Sequence, residues 1–114
     1  MTHISFSKAA VDTFIVRKGL YRLILVRAKN ALDNPADIEE LEMSEFTDGI
    51  SLFRKEASQR RTLGNALLEG ARVLRSDLLA GHRVEEPVRD GVTDYLDELI
   101  DFLASHLGTP NALE

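Results

Sequence analysis

Three histidines and no cysteines limit the metal and covalent chemistry open to this chain. His3 lies near the start, His82 in a predicted turn, and His106 near the end of the last predicted helix. None has a carboxylate three or four positions away on a helix, the spacing that places two metal ligands on one face. The nearest approach to a cluster is His82 with Glu85 and Glu86, and a solvated loop is the more ordinary interpretation. The sequence therefore predicts no metal site and no cofactor.

Carboxylates recur along the last part of the chain, from Asp94 to Asp101. Acidic residues three and four positions apart can hold Mg²⁺ for a diphosphate substrate, but such a site needs two facing acidic helices. The other acidic segment, 37–45, is short. The run 64–70 contains glycines but lacks the Lys-Ser or Lys-Thr that completes a phosphate-binding loop. We therefore expect a protein that is not an enzyme.

Positive charge is concentrated in the middle of the chain, on six basic residues: Arg54, Lys55, Arg60, Arg61, Arg72 and Arg75. Such a stripe is the best sequence argument for nucleic-acid binding. Acidic segments flank it on both sides, and aromatic residues for base stacking do not interleave with it. We therefore expect these bases mainly to pair with acidic helices. A small DNA-binding transcriptional regulator that uses this stripe is the alternative.

The chain that must position these residues has 114 residues, the length of one domain spanning 1–114. Hydrophobic residues make up 44% and charged residues 29%, the balance of a soluble globular protein. The net charge of -5 resolves into +5 over 1–32, -7 over 33–48, +4 over 49–83 and -7 over 84–114. Alternating blocks predict elements that pack against each other's opposite charge. No segment has the ~18 apolar residues of a membrane span or the core of an export signal, so we expect no membrane association and a cytoplasmic protein.

The first block predicts a helix over 7–32, because apolar residues recur there at alternating three- and four-residue spacing. Ser7 is its candidate N-cap. Two β-prone runs, Thr13–Val16 and Leu23–Val26, lie on either side of Gly19. A β-hairpin is therefore the alternative for this segment.

Two prolines mark the starts of further helices. A short acidic helix is predicted over 35–41, with Asn34 as its cap and proline in its first turn. The last helix is predicted from Pro87 to Leu107 and is apolar over a broad face. Residues 111–114 are expected to form a frayed tail.

The longest predicted helix covers 44–80, where mostly apolar positions keep an unbroken 4-3-4-3 spacing. Gly81 is its predicted C-terminal stop. Its 37 residues would span roughly 55 Å, whereas a compact chain of this length has a radius of gyration of about 13 Å. Such a helix projects from its own core, and a second copy is the simplest cover for it, so we expect a homodimer that crosses near Gly64. The alternative is a helix that breaks at Gly64 and folds back within a monomer.

The apolar seam of this helix is the predicted surface for self-association or partner binding: Phe53, Ala57, Arg60, Gly64, Leu67, Ala71 and Leu74. Together, the patterns predict an all-α helical bundle of three main helices, one of them long and central, plus a short acidic helix. We expect a protein that binds itself and another protein through a helical groove. Its function would be that of a small regulator, such as an anti-activator, an adaptor, a chaperone or an immunity protein.

Overall fold

The first strand of the chain, β1 (Thr2–Ser5), lies in the centre of a three-stranded sheet. In the computed structural model, which describes residues 2–107, β2 (Thr13–Val16) pairs with β1 antiparallel and β3 (Gly49–Ser51) pairs with it parallel. The strand order is therefore β2-β1-β3. The prediction of an all-α fold is wrong, because this mixed sheet accompanies the helices.

Four helices make up most of the rest of the described chain: α1 (Lys18–Lys29), α2 (Pro35–Glu45), α3 (Ala57–Leu79) and α4 (Val92–Leu107). α3 packs against both α1 and α4. The sheet adds Ile4, Val16 and Ile50 to the same hydrophobic core. The prediction of a helical bundle is also wrong, since one face of a sheet forms part of this core.

The run Thr13–Val16 is a strand rather than part of a helix over 7–32. Its partner is β1, with Ile4 opposite Phe14, so alternate side chains point towards the core. The hairpin alternative is wrong too, because Leu23–Val26 lies inside α1. The run forms a strand in spite of its helical spacing because it pairs with β1. β1 lies outside the segment 7–32, so that segment alone gives no sign of this partner.

α3 has 23 residues instead of the 37 predicted over 44–80. The first part of the predicted helix forms the end of α2, then β3 and a 3₁₀ turn, Leu52–Arg54. Gly49 opens β3 at a φ of +115°, a conformation that glycine adopts readily and that a helix cannot contain. α3 runs through Gly64 without a break, so the folded-back alternative is wrong as well.

The observed length of α3 removes the reason for expecting it to project. At about 1.5 Å per residue its 23 residues span roughly 34 Å, and the longest dimension of the described chain is 38 Å. The helix therefore lies within its own chain, where α1 and α4 cover its apolar seam. The homodimer stays a prediction, without the support of a projecting helix.

Helix ends are confirmed where a cap residue or a glycine defines them. Asn34 accepts a hydrogen bond from the N–H of Ala36 at 2.8 Å and caps α2. Gly81 follows α3 at a φ of +77°, the usual conformation after a helix C-terminus. The last helix begins at Val92, later than predicted, and the expected tail over 111–114 lies outside the described residues.

Charge blocks of opposite sign pair within the chain, as their alternation predicts. Arg22 of α1 contacts Glu45 of α2 at 2.9 Å and Glu86, in the segment before α4, at 2.6 Å. Further pairs join Arg27 to Glu85, Lys55 to Glu40 and Arg75 to Asp97. Since partly exposed pairs contribute only ~0–1 kcal/mol each, their main effect is to set how the elements meet.

Two glycines of α3 allow close packing of helices. A Cβ at Gly70 would lie 2.7 Å from the carbonyl oxygen of Ile24 and 2.9 Å from the nitrogen of Ala28, both backbone atoms of α1. A Cβ at Gly64 would lie 2.6 Å from Leu107, but there the contact is the end of a side chain that can turn away. The α1–α3 contact therefore needs glycine more strictly than the α3–α4 contact does.

We expect Gly70→Ala to destabilise the protein by about 1–3 kcal/mol, because α1 and α3 must move apart to admit the methyl group. Gly64→Ala is the matched control, since Leu107 can rotate and alanine favours the helix by ~1 kcal/mol. Urea unfolding of both variants gives the comparison. A Gly70→Ala protein as stable as Gly64→Ala would contradict the close packing of α1 on α3.

Candidate functional site

Four of the seven predicted contact residues lie in the core of their own chain: Gly64, Leu67, Ala71 and Leu74. The last three have no exposed surface, so they stabilise the fold and present nothing to a partner. The other three, Phe53, Ala57 and Arg60, lie around the start of α3, where the surface is partly accessible.

Arg60 shapes the segment between β3 and α3. Its Nε donates to the carbonyl of Leu52 at 3.2 Å, and a terminal nitrogen donates to the carbonyl of Lys55 at 3.1 Å. Each bond ties the guanidinium to the chain that immediately precedes α3. Lys55 is one of the two acceptors, and Arg54 lies between Leu52 and Lys55 in the sequence. Arg60 therefore holds both residues in position.

The surface beside this segment contains a groove between α2 and β3, which we call the α2–β3 groove. Its volume is about 240 Å³, and nine residues line it: Glu40, Met43, Ser44, Thr47, Gly49, Ile50, Ser51, Arg54 and Lys55. Small-molecule sites usually measure ~300–1,000 Å³. The dimensions of this groove are better suited to part of a peptide than to a small-molecule substrate.

Two large apolar side chains are exposed around the end of α2. Met43 lines the groove with 56% of its surface exposed. Phe46, which follows α2 and comes directly before the lining residue Thr47, is 76% exposed. The N–H of Phe46 donates to the carbonyl of Met43 at 3.1 Å, so the two residues lie one turn apart at the end of α2. Each of these exposed apolar side chains forgoes the ~1.5–3 kcal/mol that full burial would supply.

The opposite side of the groove carries charge. The Lys55 ammonium pairs with the Glu40 carboxylate at 2.5 Å across the groove. The Arg54 guanidinium lies 5.5 Å from the centre of the Phe53 ring. Within residues 2–107, no carboxylate approaches Arg54 to 4.0 Å, so its charge faces solvent.

α2 is held in place by a buried hydrogen bond to α1. The Tyr21 hydroxyl and Ser44 Oγ are 2.7 Å apart, and Ser44 Oγ donates to the carbonyl of Leu41 at 2.6 Å. Because the serine proton is used for Leu41, the tyrosine is the donor of the first bond. Burial raises the pKa of Tyr21 to about 12, since the phenolate would lose its hydration there.

β3 is held by its pairing with β1. The N–H of His3 donates to the carbonyl of Asp48 at 2.7 Å, and this bond starts the parallel ladder. A Cβ at Gly49 would collide with the backbone of His3, so only glycine fits at this close approach. The Thr47 hydroxyl faces three carbonyls, those of Gly49 at 3.2 Å and of Met43 and Ser44 at 3.5 Å, and Gly49 is the nearest acceptor for its one proton.

The groups that come closest to a catalytic arrangement lie elsewhere, between β1 and the end of α4. Asp12 accepts hydrogen bonds from Ser7 Oγ at 2.7 Å and from His106 Nε2 at 2.8 Å, while His106 Nδ1 faces the carbonyl of Phe102 at 2.9 Å. Within residues 2–107, the Ser7 hydroxyl bonds to the carboxylate of Asp12 and not to an imidazole. A catalytic triad needs the histidine between the serine and the aspartate, so this arrangement is not one. These bonds join the N-terminal segment to α4. Hydrogen bonds from Ser7 and then from His106 hold the pKa of the Asp12 carboxyl below its usual range.

The six bases of the predicted nucleic-acid stripe are divided by the fold. Arg60 is bound to backbone carbonyls, and Lys55 and Arg75 have carboxylate partners. Arg54, Arg61 and Arg72 are the ones with exposed side chains. The basic surface is therefore about half of what the sequence suggests.

The described residues 2–107 contain no group of three His, Asp or Glu side chains placed to hold a metal ion. In the same range, none of the helices has both the length and the apolar character needed to cross a bilayer.

The α2–β3 groove was not predicted from the sequence, because the residues of β3 were assigned to the helix over 44–80. Two signals were present: Asp48-Gly49 is a turn-forming pair, and the apolar and small residues of 49–53 alternate over a length typical of a strand. Phe53 is the predicted contact residue that lies next to the groove, beneath Arg54.

Comparison with protein-family models, with curated proteins and with solved structures finds no match to this chain.

We expect Tyr21→Phe to reduce stability at neutral pH by about 1 kcal/mol, because one buried hydrogen bond is lost. Because folding raises the pKa of Tyr21 from 10.0 to about 12, its contribution is complete below the unfolded value and is lost as pH rises through the folded one. The wild type should therefore lose stability over this alkaline range more steeply than Tyr21→Phe. Urea unfolding at several pH values measures this, and equal slopes for the two proteins would contradict burial of the tyrosine.

Asp12→Asn is expected to flatten the acid side of the stability profile. A carboxyl whose pKa is lowered on folding stabilises the protein above its unfolded pKa, near pH ~4, and that stabilisation is lost as pH falls through the folded pKa. Thermal unfolding between neutral and acid pH gives the profiles. Asp90→Asn, at an exposed position, is the control and should leave the profile unchanged.

Proposed function

We propose that this protein is a non-enzymatic regulator that binds another protein through the α2–β3 groove and the exposed side chains of Met43 and Phe46. The observation that carries the proposal is Phe46, a phenylalanine with 76% of its surface exposed directly before Thr47, which lines the groove. Apolar surface of this kind is stabilised by transfer into a partner. Large aromatic anchors supply much of the binding energy at protein interfaces.

The composition of the surface supports the same proposal. Aromatic residues, methionine and arginine are enriched at protein interfaces. Met43 and Arg54 line this groove, and the exposed Phe46 comes directly before the lining residue Thr47. The Lys55–Glu40 ion pair gives the groove a polar border. A suitable partner would pack an apolar side chain on the Phe46 ring and place a carboxylate against the Arg54 guanidinium.

The DNA-binding alternative has weaker support. Affinity for DNA depends on the number of phosphates that free Lys and Arg side chains neutralise. Lys55, Arg60 and Arg75 of the stripe have partners within the chain, and each would have to break its present contact to bind a phosphate. Anti-activators, adaptors, chaperones and immunity proteins all need a specific protein-binding surface, and the α2–β3 groove meets this need with no added chemistry.

A library of random peptides displayed on phage tests the proposal without knowledge of the natural partner. We expect selection to yield peptides that combine apolar residues with Asp or Glu. Phe46→Ser should weaken their binding by ~30-fold or more, the loss of ~2 kcal/mol typical of an anchor residue. Isothermal titration calorimetry with the purified protein measures the change.

Val11→Ser is the matched control, because Val11 is 79% exposed but precedes β2, at the opposite edge of the sheet from β3. It should change the affinity by no more than ~2-fold. Selected peptides that bind Phe46→Ser as tightly as wild type, or bind Val11→Ser as weakly as Phe46→Ser, would rule out the groove as the binding surface.

A further inference from the structure

We propose that the partner occupies the α2–β3 groove as an extended segment that supplies hydrogen-bond acceptors to the edge of β3 and a carboxylate to Arg54. This inference rests on the proposed function and adds the conformation and the chemistry of the bound segment. Four observations support it: the direction of the backbone groups of β3, the pairing of their carbonyls, the use of an acceptor at the other sheet edge, and the free charge of Arg54.

The backbone of β3 alternates between its neighbour and the groove. Because the N–H of His3 donates to the carbonyl of Asp48 and Ile4 lies opposite Ile50, the N–H and C=O of Ile50 face β1. The backbone groups of Gly49 and Ser51 consequently point away from β1, towards the outer edge. Gly49, Ile50 and Ser51 all line the groove, so this edge forms one of its walls.

The outer edge of β3 offers donors but little acceptor capacity. The carbonyl of Gly49 accepts from the Thr47 hydroxyl at 3.2 Å. The carbonyl of Ser51 accepts the first bond of the 3₁₀ turn that it caps. The N–H groups of Gly49 and Ser51 are therefore the edge groups that remain for a ligand, ~6.6 Å apart at the strand rise per residue.

Donors at this spacing match the carbonyls of an extended peptide at alternate residues. They match a second copy of β3 less well, because the outward carbonyls of that copy already face donors of their own chain. The hydrogen-bonding chemistry of the edge therefore selects an acceptor-rich partner and works against pairing of β3 with itself, one way in which edge strands avoid self-association.

One acceptor at the opposite edge of the sheet is already used within the chain. The Tyr95 hydroxyl of α4 donates to the carbonyl of Ile15 in β2. In the antiparallel ladder Ile15 lies opposite His3, whose N–H is used by β3, so the backbone groups of Ile15 point outwards. Tyr95 therefore competes with an added strand for that acceptor, which favours the edge of β3.

Side chains at the two ends of the groove define the rest of the ligand. An extended segment places alternate side chains on one face, and Met43, which lines the groove, provides apolar surface for them, with the exposed Phe46 one turn further on. Arg54 provides a free positive charge at the end of the groove that follows β3. The expected motif therefore has apolar residues at alternate positions next to Asp, Glu or a C-terminal carboxylate.

Ser51→Pro tests the backbone contact, because proline removes the outward N–H and leaves the bonds between β1 and β3 in place. Ser51 has a φ of -101°, outside the range of about -65 ± 15° that proline adopts, so circular dichroism must first show that the variant is folded. We expect the tightest peptide from the phage selection to bind Ser51→Pro about 3- to 10-fold more weakly than wild type, the effect of one hydrogen bond. Ser51→Ala keeps the N–H and is the control, with wild-type affinity.

Amide hydrogen exchange of the wild type gives a second measurement, which does not depend on how well the proline variant folds. Exchange at Gly49 and Ser51 should slow by ~10-fold or more when the same peptide is bound. Replacing the peptide carboxylate by its amide should weaken binding to the wild type but not to Arg54→Ala.

Three results would overturn the inference. The first is equal affinity of Ser51→Pro and wild type together with unchanged exchange at Gly49 and Ser51, which would leave the groove as a protein-binding site used by another conformation. The second is a peptide whose carboxylate contributes equally with and without Arg54. The third is a dimer at micromolar concentration that Ser51→Pro dissociates, since the occupant would then be a second copy. A selection that yields no peptide at all would count against the proposed function instead.

Discussion

The parallel pairing of β1 with β3 is the contact on which the rest of the structure depends. It brings the start of the chain beside Gly49, where the backbones approach so closely that no side chain fits between them. Because of this pairing, residues that the apolar spacing assigns to one long helix over 44–80 form the strand β3 instead. α3 can then begin at Ala57 and remain short enough for α1 and α4 to cover it. The groove exists because β3, once paired on one side, has a free edge on the other.

Charge is used mainly inside the chain. Arg22, Arg27 and Lys55 bind carboxylates of distant segments, and Arg60 binds backbone carbonyls. These contacts bring the segment before α4 against α1, and the segment before α3 against α2. Arg54 is different, because it rests over the Phe53 ring while its charge faces solvent. Met43 and Phe46 are also exposed within three residues of each other, and neighbouring exposed apolar residues are more informative about binding than a single one.

Local signals were sufficient where a cap or the sign of a charge decides the outcome. The Asn34 cap and the Gly81 stop were predictable because each depends on residues close together in the sequence. The pairing of opposite charge blocks was predictable because unlike charges attract even when they are distant in sequence. The candidate site was not predictable in the same way. Phe53 was identified as a contact residue, but as a position on a helical seam, whereas the structure places it under Arg54 beside a strand.

By itself, the amino-acid sequence determined the helical core of α1, α3 and α4, the start of α2, the absence of cysteine chemistry and the complementarity of the charged segments. Only the tertiary structure decided that Thr2–Ser5, Thr13–Val16 and Gly49–Ser51 are strands. Apolar residues at three- and four-residue spacing are compatible with either a helix or a short strand, and each of these segments is too short to form a strand without a partner. The partners are distant in sequence. The sheet, its free edge and the groove beside it therefore follow from contacts that no local pattern contains.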